Sequence, residues 1–484
     1  MRTDRIMIVG GGSAGWMTAA TLISQFPSKE ITLIESPEIP TVGVGESTLG
    51  QINRWLQLLG IQDKDFMKHC DASYKLSIRF EDFYEKGDGG FHYPFGEPVE
   101  SDSHISDFTS PKELWFLKKH LYPETPVTDY ADSHYRNMAY VHENRIDMDN
   151  LVTAYHFDAT KFGLWLRDHY CIPRGVKHIK EDVVDIEKDE TGIVSLNGHT
   201  ADMYIDCTGF KSMLMKELYV KFLSYNDMLP NNKAWATRVP YKNKEEELQP
   251  YTNCTAIENG WVWNIPSWER IGTGYVYSDR YVDDEQALKE FKKHLDGKGS
   301  DYSQSEFKNI SMRVGRHEKF FVKNVCAIGL SAGFIEPLES NGLLSVHEFL
   351  INLVKVMKRG DKLSQWDRDN FNTESCRFFD EFAEFVALHY ALSHRDDTKY
   401  WQDISNREFK IAKQDILTKM GDDKFKSNSG HHVIGVGMRY FGIDILNVEY
   451  NDYDLEIIHR KNNWREEARQ SPRLLDYLKD NIHV

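Results

Sequence analysis

Arg5-Ile6-Met7-Ile8-Val9 runs straight into Gly10-Gly11-Gly12-Ser13-Ala14-Gly15, and this stretch decides the fold. Four consecutive apolar residues predict a short buried strand. The glycines that follow contain G-x-G-x-x-G. Trp16, Ala19, Ala20 and Ile23 then recur at helical spacing up to Pro27, and a second strand over Ile31 to Ile34 ends in Glu35. The physical roles are separable. Gly10 makes the tight turn, Gly12 lets backbone approach a pyrophosphate, and Gly15 lets helix pack on strand. The phosphates lie on the helix N-terminus, with Ser13 and Ala14 in its first turn, and Glu35 accepts from a ribose. Glycine-rich turns alone are common. Strand, glycines, helix, strand and acid in this order predict a dinucleotide site.

Working outward, the chain of 484 residues is long enough for one large domain or two to three ordinary ones. With 40% hydrophobic and 28% charged residues it can bury a full core, and 13% aromatic residues suit either core filling or an aromatic substrate site. A net charge of −16 argues against a nucleic-acid binder, which needs a basic face. Six scattered cysteines without C-x-x-C point to a reduced, cytoplasmic protein with no metal site and no disulfide framework. No run of 18 apolar residues predicts a membrane span, and the nucleotide motif begins too early to leave room for a signal peptide.

Farther along, Pro40 to Thr48 (PTVGVGEST) reads as a loop lying where a cofactor held by the first motif extends; its plainer reading is a surface turn. Residues 49–69 read as helical. Tyr74, Leu76, Ile78 and Phe80 alternate with Lys75, Ser77 and Arg79, so pattern alone makes Lys75 a solvated strand lysine. Phe91-His92-Tyr93-Pro94-Phe95 is an aromatic cluster in a loop. Residues 96–150 read as an insertion, because Trp115, Phe116 and Leu117 need burial. Tyr155 to Ala159 reads as the opening of a helix, Asp182–Ile186 with Ile193–Leu196 as a hairpin, and Met203 to Phe210 (MYIDCTGF) as a buried strand ending in a glycine turn. In Gly260-Trp261-Val262-Trp263-Asn264-Ile265-Pro266 the two tryptophans share a strand face, which suits a core or an aromatic wall. Val322 to Gly333 is a strand entering a small-residue turn. After Phe334-Ile335-Glu336-Pro337-Leu338-Glu339-Ser340-Asn341-Gly342 comes a helix that Ser340 or Asn341 caps, with an N-terminus that welcomes an anion.

In sequence the segments GGGSAGW, GVGEST, YKLSIRF, YHFDA, IDCTGF, WVWNIP and IGLSAGFIEPLES resemble the flavin-dependent halogenases, in particular their tryptophan-halogenase-like branch, from residue 5 to about residue 403. The W-x-W-x-I-P piece is the most diagnostic. The resemblance implies an α/β fold: an FAD-binding Rossmann-like domain of the glutathione-reductase type, an interleaved mixed-sheet substrate region and a helical C-terminal region. The expected division is 1–70, 151–215 and 321–360 for FAD and halide, 71–150 and 216–320 for substrate, and 361–484 helical. It implies that Gly10, Gly12, Gly15 and Glu35 hold the adenosine half of FAD, and that Val44, Gly45 and Gly329 lie along the cofactor. Lys75 and Glu339 stand at the catalytic positions. Asn341 and Gly342 offer backbone N–H groups to halide, Ser340 connects the substrate and flavin sites, and Trp261, Trp263 and Pro266 wall the passage between them. Tyr93 and Phe95 belong to the substrate side.

The implied reaction takes reduced FAD, O2 and halide (chloride, bromide or iodide) to hypohalous acid. Lys75 holds the oxidant, by hydrogen bond or as a haloamine, and an electron-rich indole- or phenol-like aromatic is halogenated. A flavin-dependent aromatic monooxygenase is the alternative. Three features depart from the family pattern: the order Phe91-His92-Tyr93-Pro94-Phe95, the triplet Ser340-Asn341-Gly342, and the absence of a recognisable aromatic clamp in Ser427 to Gly442. With no second nucleotide motif for NAD(P)H, a separate flavin reductase is the expected partner, and the family suggests a homo-oligomer.

Overall fold

The computed structural model describes residues 1–38, 45–98, 115, 119, 122–360, 362–406, 430–440 and 451–484. Val44, Phe116 and Leu117 lie outside the described residues. Two compact units interleave along the chain: residues 1–72, 157–232 and 311–383 form the first, and 73–156, 233–310 and 384–484 the second.

The first unit is built on a six-stranded sheet in the order Phe321–Val322, Val325–Ala327, Met203–Asp206, Arg5–Val9, Glu30–Glu35, Lys177–Lys180. All pairings but the first are parallel, with Ile8 opposite both Ile205 and Leu33. Arg5–Val9 is central, so both its faces are covered; Ile6, Met7, Ile8 and Val9 are all buried, each side chain contributing about 1.5–3 kcal/mol. The helix Ser13–Gln25 follows, its face of Trp16, Ala19, Ala20 and Ile23 buried. The C-terminal ends of Arg5–Val9, Met203–Asp206 and Val325–Ala327 each run into a glycine turn, at Gly10, Gly209 and Gly329. In such sheets ligands bind at this edge.

The second unit is organised on antiparallel strands in the order Lys233–Val239, Ile271–Tyr277, Gly260–Pro266, Tyr251–Ile257, followed by Ser77–Glu81 in parallel and Gly90–Pro94 antiparallel. The helix Asp284–Lys298 is capped by Asp283 and buries Ala287, Phe291 and Leu295 against Val262, Tyr275 and Tyr277.

Several local expectations are corrected. Tyr155 to Asp158 belong to a strand, Ala154–Asp158, not a helix. The helix starts at Ala159, where Asp158 accepts from the Lys161 N–H at 3.1 Å, so an N-cap rather than a helical turn explains the acid. Gly45–Ser47 is a strand inside the expected loop. The hairpin lies at Ile186–Asp189 and Gly192–Leu196, because Asn197 takes the backbone N–H groups of Val184 and Asp185 into a turn instead. The aromatic cluster at Phe91 is strand, paired so that Phe80 faces Phe91. The division between the two units falls within the helix Gln365–Ala391. Among the described residues no helix is long and apolar enough to cross a membrane.

Candidate active site

In the first unit the nucleotide cradle is made of backbone. Gly10 has φ +110°, and a Cβ there would lie 2.3 Å from the Cys207 carbonyl oxygen; at Gly15 it would lie 1.9 Å from the Gly10 carbonyl oxygen. No other residue fits either place. Gly12 is the N-cap of Ser13–Gln25 and brings no side chain to it, so the first turn presents N–H groups directly. The Ser13 hydroxyl points elsewhere, donating to the Ala159 carbonyl at 2.8 Å. Gly329, at φ +71°, brings its turn against the same helix start: a Cβ there would be 2.8 Å from Ala14 Cβ. The Glu35 carboxylate lies across the glycine turn, where a side chain on Gly11 would be. It is braced by His178, whose Nε2 is 2.6 Å from Glu35 Oε1, and the His178 ring meets Trp16 edge-on at 5.1 Å. His178 carries no motif and was not legible in the sequence. A cradle of this shape, with an acid beside it, fits the adenosine diphosphate half of FAD.

Glu339 and Ser340 close the same unit's second feature. Pro337–Glu339 is a single tight helical turn, Glu339 is completely buried, and Ser340 takes the left-handed conformation at φ +56°. The Ser340 hydroxyl donates to Ser47 at 3.1 Å. Neither Ser340 nor Asn341 caps the following helix: its N-cap is Leu343, without a side-chain bond, and Asn341 Nδ2 turns back to the Ile335 carbonyl at 3.4 Å. Among the described residues no backbone–backbone hydrogen bond uses the amides of Asn341 or Gly342. Both residues line a narrow cleft with Leu330, Phe334, Leu344 and Phe382. Beside them, Glu46 Oε2 lies 2.8 Å from the point where a side-chain carbon on Gly342 would be. Burial, reinforced by the negative Asp158, pushes the Glu46 carboxyl up to about 7. Glu46 sits inside GVGEST, where an acid directly after two closely spaced glycines is the signal that could have found it.

The second unit carries Lys75. It ends the strand Ser73–Lys75, which pairs antiparallel with residues 154–156, and it is completely buried. The solvated reading suggested by alternation is overturned, because Phe95 and the surrounding sheet cover the side chain. Its Nζ lies 5.0 Å from the Phe95 ring centroid, a cation–π distance. Tyr93 meets Phe95 edge-on at 6.3 Å and Phe385 at 6.3 Å. Pro266 belongs to the same neighbourhood: its carbonyl accepts from the Ser73 hydroxyl at 2.7 Å and from His156 Nδ1 at 3.1 Å, and His156 Nε2 accepts from Thr252 at 2.9 Å. Burial and the nearby Lys75 hold the His156 imidazole well below its usual range, so it is neutral. Trp261 is completely buried and Trp263 nearly so, their rings 6.3 Å apart; Gly274 leaves the space Trp263 fills.

Residues 5–434 match the family model described as tryptophan halogenase. The chain belongs to that family. It is 35% identical over 436 residues to tryptophan 6-halogenase SttH of Streptomyces toxytricini, covering 84% of this chain and 81% of that protein. It is 34% identical over 441 residues to tryptophan 7-halogenase RebH of Lentzea aerocolonigenes, covering 85% and 80%. The crystal structure of the former halogenase superposes with a TM-score of 0.89 at 31% identity, covering 98% and 99%, and the apo structure of VirX1 with 0.86 at 36%, covering both chains fully. The protein is a flavin-dependent halogenase that uses reduced FAD, O2 and halide. Membership decides between halogenation and oxygen insertion in favour of the first.

Proposed function

We propose that this halogenase acts on a small electron-rich aromatic, indole- or phenol-like, with Lys75 and Glu339 as its catalytic side chains. Bound and reduced, FAD supplies with O2 the two-electron oxidation that turns halide into hypohalous acid. The glycine turn and the N-terminus of Ser13–Gln25 hold the diphosphate of FAD, Glu35 the ribose, and Gly45 and Gly329 flank the cofactor. The amides of Asn341 and Gly342 hold the halide. Lys75 holds the oxidant as a hydrogen-bond donor to hypohalous acid or as its haloamine, and Glu339 takes the proton lost from the arene. Tyr93, Phe95, Trp261, Trp263 and Pro266 shape the aromatic surroundings, and Ser340 fixes the turn beside Glu339.

The single observation that carries this reading is a lysine with no solvent exposure, buried against Phe95. Burying a lysine is costly, and such buried titratable groups cluster at functional sites. The test is Lys75→Ala assayed against indoles, phenols and anilines with chloride, bromide and iodide. Product should vanish while reduced FAD is still consumed by O2; halogenation at the wild-type rate removes Lys75 from its role. Reduced FAD comes from a separate flavin reductase in the cytoplasm, and efficient NADH oxidation by the purified chain alone would contradict this.

A further inference from the structure

We propose that Glu46 couples halide binding to protonation: as a carboxylic acid it shares the pocket with the halide, and as a carboxylate it excludes it. This deepens, and rests on, the reading of Asn341 and Gly342 as the halide donors. Two independent placements put the acid there. Glu46 Oε2 is 2.8 Å from where a Gly342 side chain would begin, and the next residue, Ser47, accepts the hydroxyl of Ser340 at 3.1 Å. The strand Gly45–Ser47 is therefore pinned against the turn on both sides of the amides. Glu46 lies deep in the unit and is half-buried.

The electrostatic surroundings set the sign. On its own strand Gly45 and Ser47 carry no charge. The turn presents Ser340, Asn341 and Gly342, also neutral, after the buried Glu339. From the strand Ala154–Asp158 comes Asp158, a second negative group. Asp158 has the Lys161 N–H as its own hydrogen-bond partner, and the Lys161 ammonium is engaged by Asp71. A halide among these acids adds another negative charge, and Glu46 can answer it by taking a proton from solvent. In its neutral form it can also donate a hydrogen bond to the anion.

Below neutrality halide binds without proton exchange; above it, each halide brings a proton with it. With the free-site carboxyl at about 7, affinity falls up to about tenfold from about pH 6 to about pH 8.

The experiment measures sodium bromide binding by bromide NMR line broadening on the full chain carrying oxidised FAD, with proton uptake read on a pH-stat. The expected result is the stated loss of affinity, close to one proton taken up per bromide at the alkaline end, and a Glu46→Gln variant that is flat in pH. Wild-type binding that is flat in pH and takes up no proton overturns the coupling, whether or not Glu46→Gln folds. A Glu46→Gln variant that keeps the wild-type pH slope overturns it too. Gly342→Pro removes one donor and, made in the Glu46→Ala background where the new ring no longer meets the acid and with FAD still bound, separates the two readings. If it abolishes bromide binding, the turn is the site and only the coupling is at stake. If binding is untouched, the halide turn itself is wrong and the coupling goes with it.

Discussion

The first unit makes its nucleotide cradle from backbone, whereas the second presents a buried lysine from a strand. Around Gly10, Gly15 and Gly329 a missing Cβ is what matters, because carbonyl oxygens or Ala14 fill the space a side chain would take. Around Lys75 one ammonium matters, covered by Phe95 and seated on a strand whose Ser73 holds the Pro266 carbonyl. The difference teaches which failures to expect. Damage to a backbone cradle removes cofactor and stability together. Damage to a buried functional group removes chemistry and leaves the fold.

The sharpest break is Lys75→Ala, which should lower halogenation by about 10⁴-fold, with FAD binding retained; mass spectrometry of product against reduced-FAD consumption reads both. Loss of FAD from this variant would show that the lysine is structural and erase the contrast. Glu339→Gln should follow at about 10²–10³-fold, again with FAD bound. Trp261→Ala removes a completely buried ring and should cost about 3–5 kcal/mol in denaturant unfolding, showing how much of the aromatic wall is core. Gly15→Ala forces a methyl to 1.9 Å from a carbonyl oxygen. It should cost about 1–3 kcal/mol and release FAD, measured by flavin absorbance after gel filtration.

The smallest effect concerns pH. Burial, with His142 and Arg79 nearby, lowers the His92 imidazole to about 3, and His156 is lowered as well. Both folded values lie below the unfolded one near 6.5. Their stability is therefore complete above about pH 6.5 and is lost on acidification, at about 1.4 kcal/mol per pH unit for each. His92→Asn should make the acid limb of melting temperature against pH shallower by one such share. Glu46 runs the other way: its raised carboxyl favours folding below the unfolded value of 4.5, and that share is lost as pH rises toward about 7. These groups thus have opposite slopes, and a pH series on His92→Asn and Glu46→Gln separates them.

The backbone half was legible because its requirements are local. Glycines at Gly10, Gly12 and Gly15 between an apolar strand and an apolar helix admit few structures, and Glu35 ends the next strand where the cradle needs an acid. Alternation misplaced Lys75, since a period of two says which residues share a face but not whether both faces are covered. The aromatic run at Tyr155 was misassigned because a short apolar stretch before an N-cap suits strand and helix alike.

What the sequence alone determined was the order of segments, the nucleotide cradle and the family to which those segments belong, because each depends on residue type within a few positions. Only the tertiary structure decided that Lys75 is buried, that His178 braces Glu35, that His156 shares the Pro266 carbonyl with Ser73, and that Glu46 faces Gly342. Those facts join residues far apart in the chain, and burial and charge exist only once such residues meet.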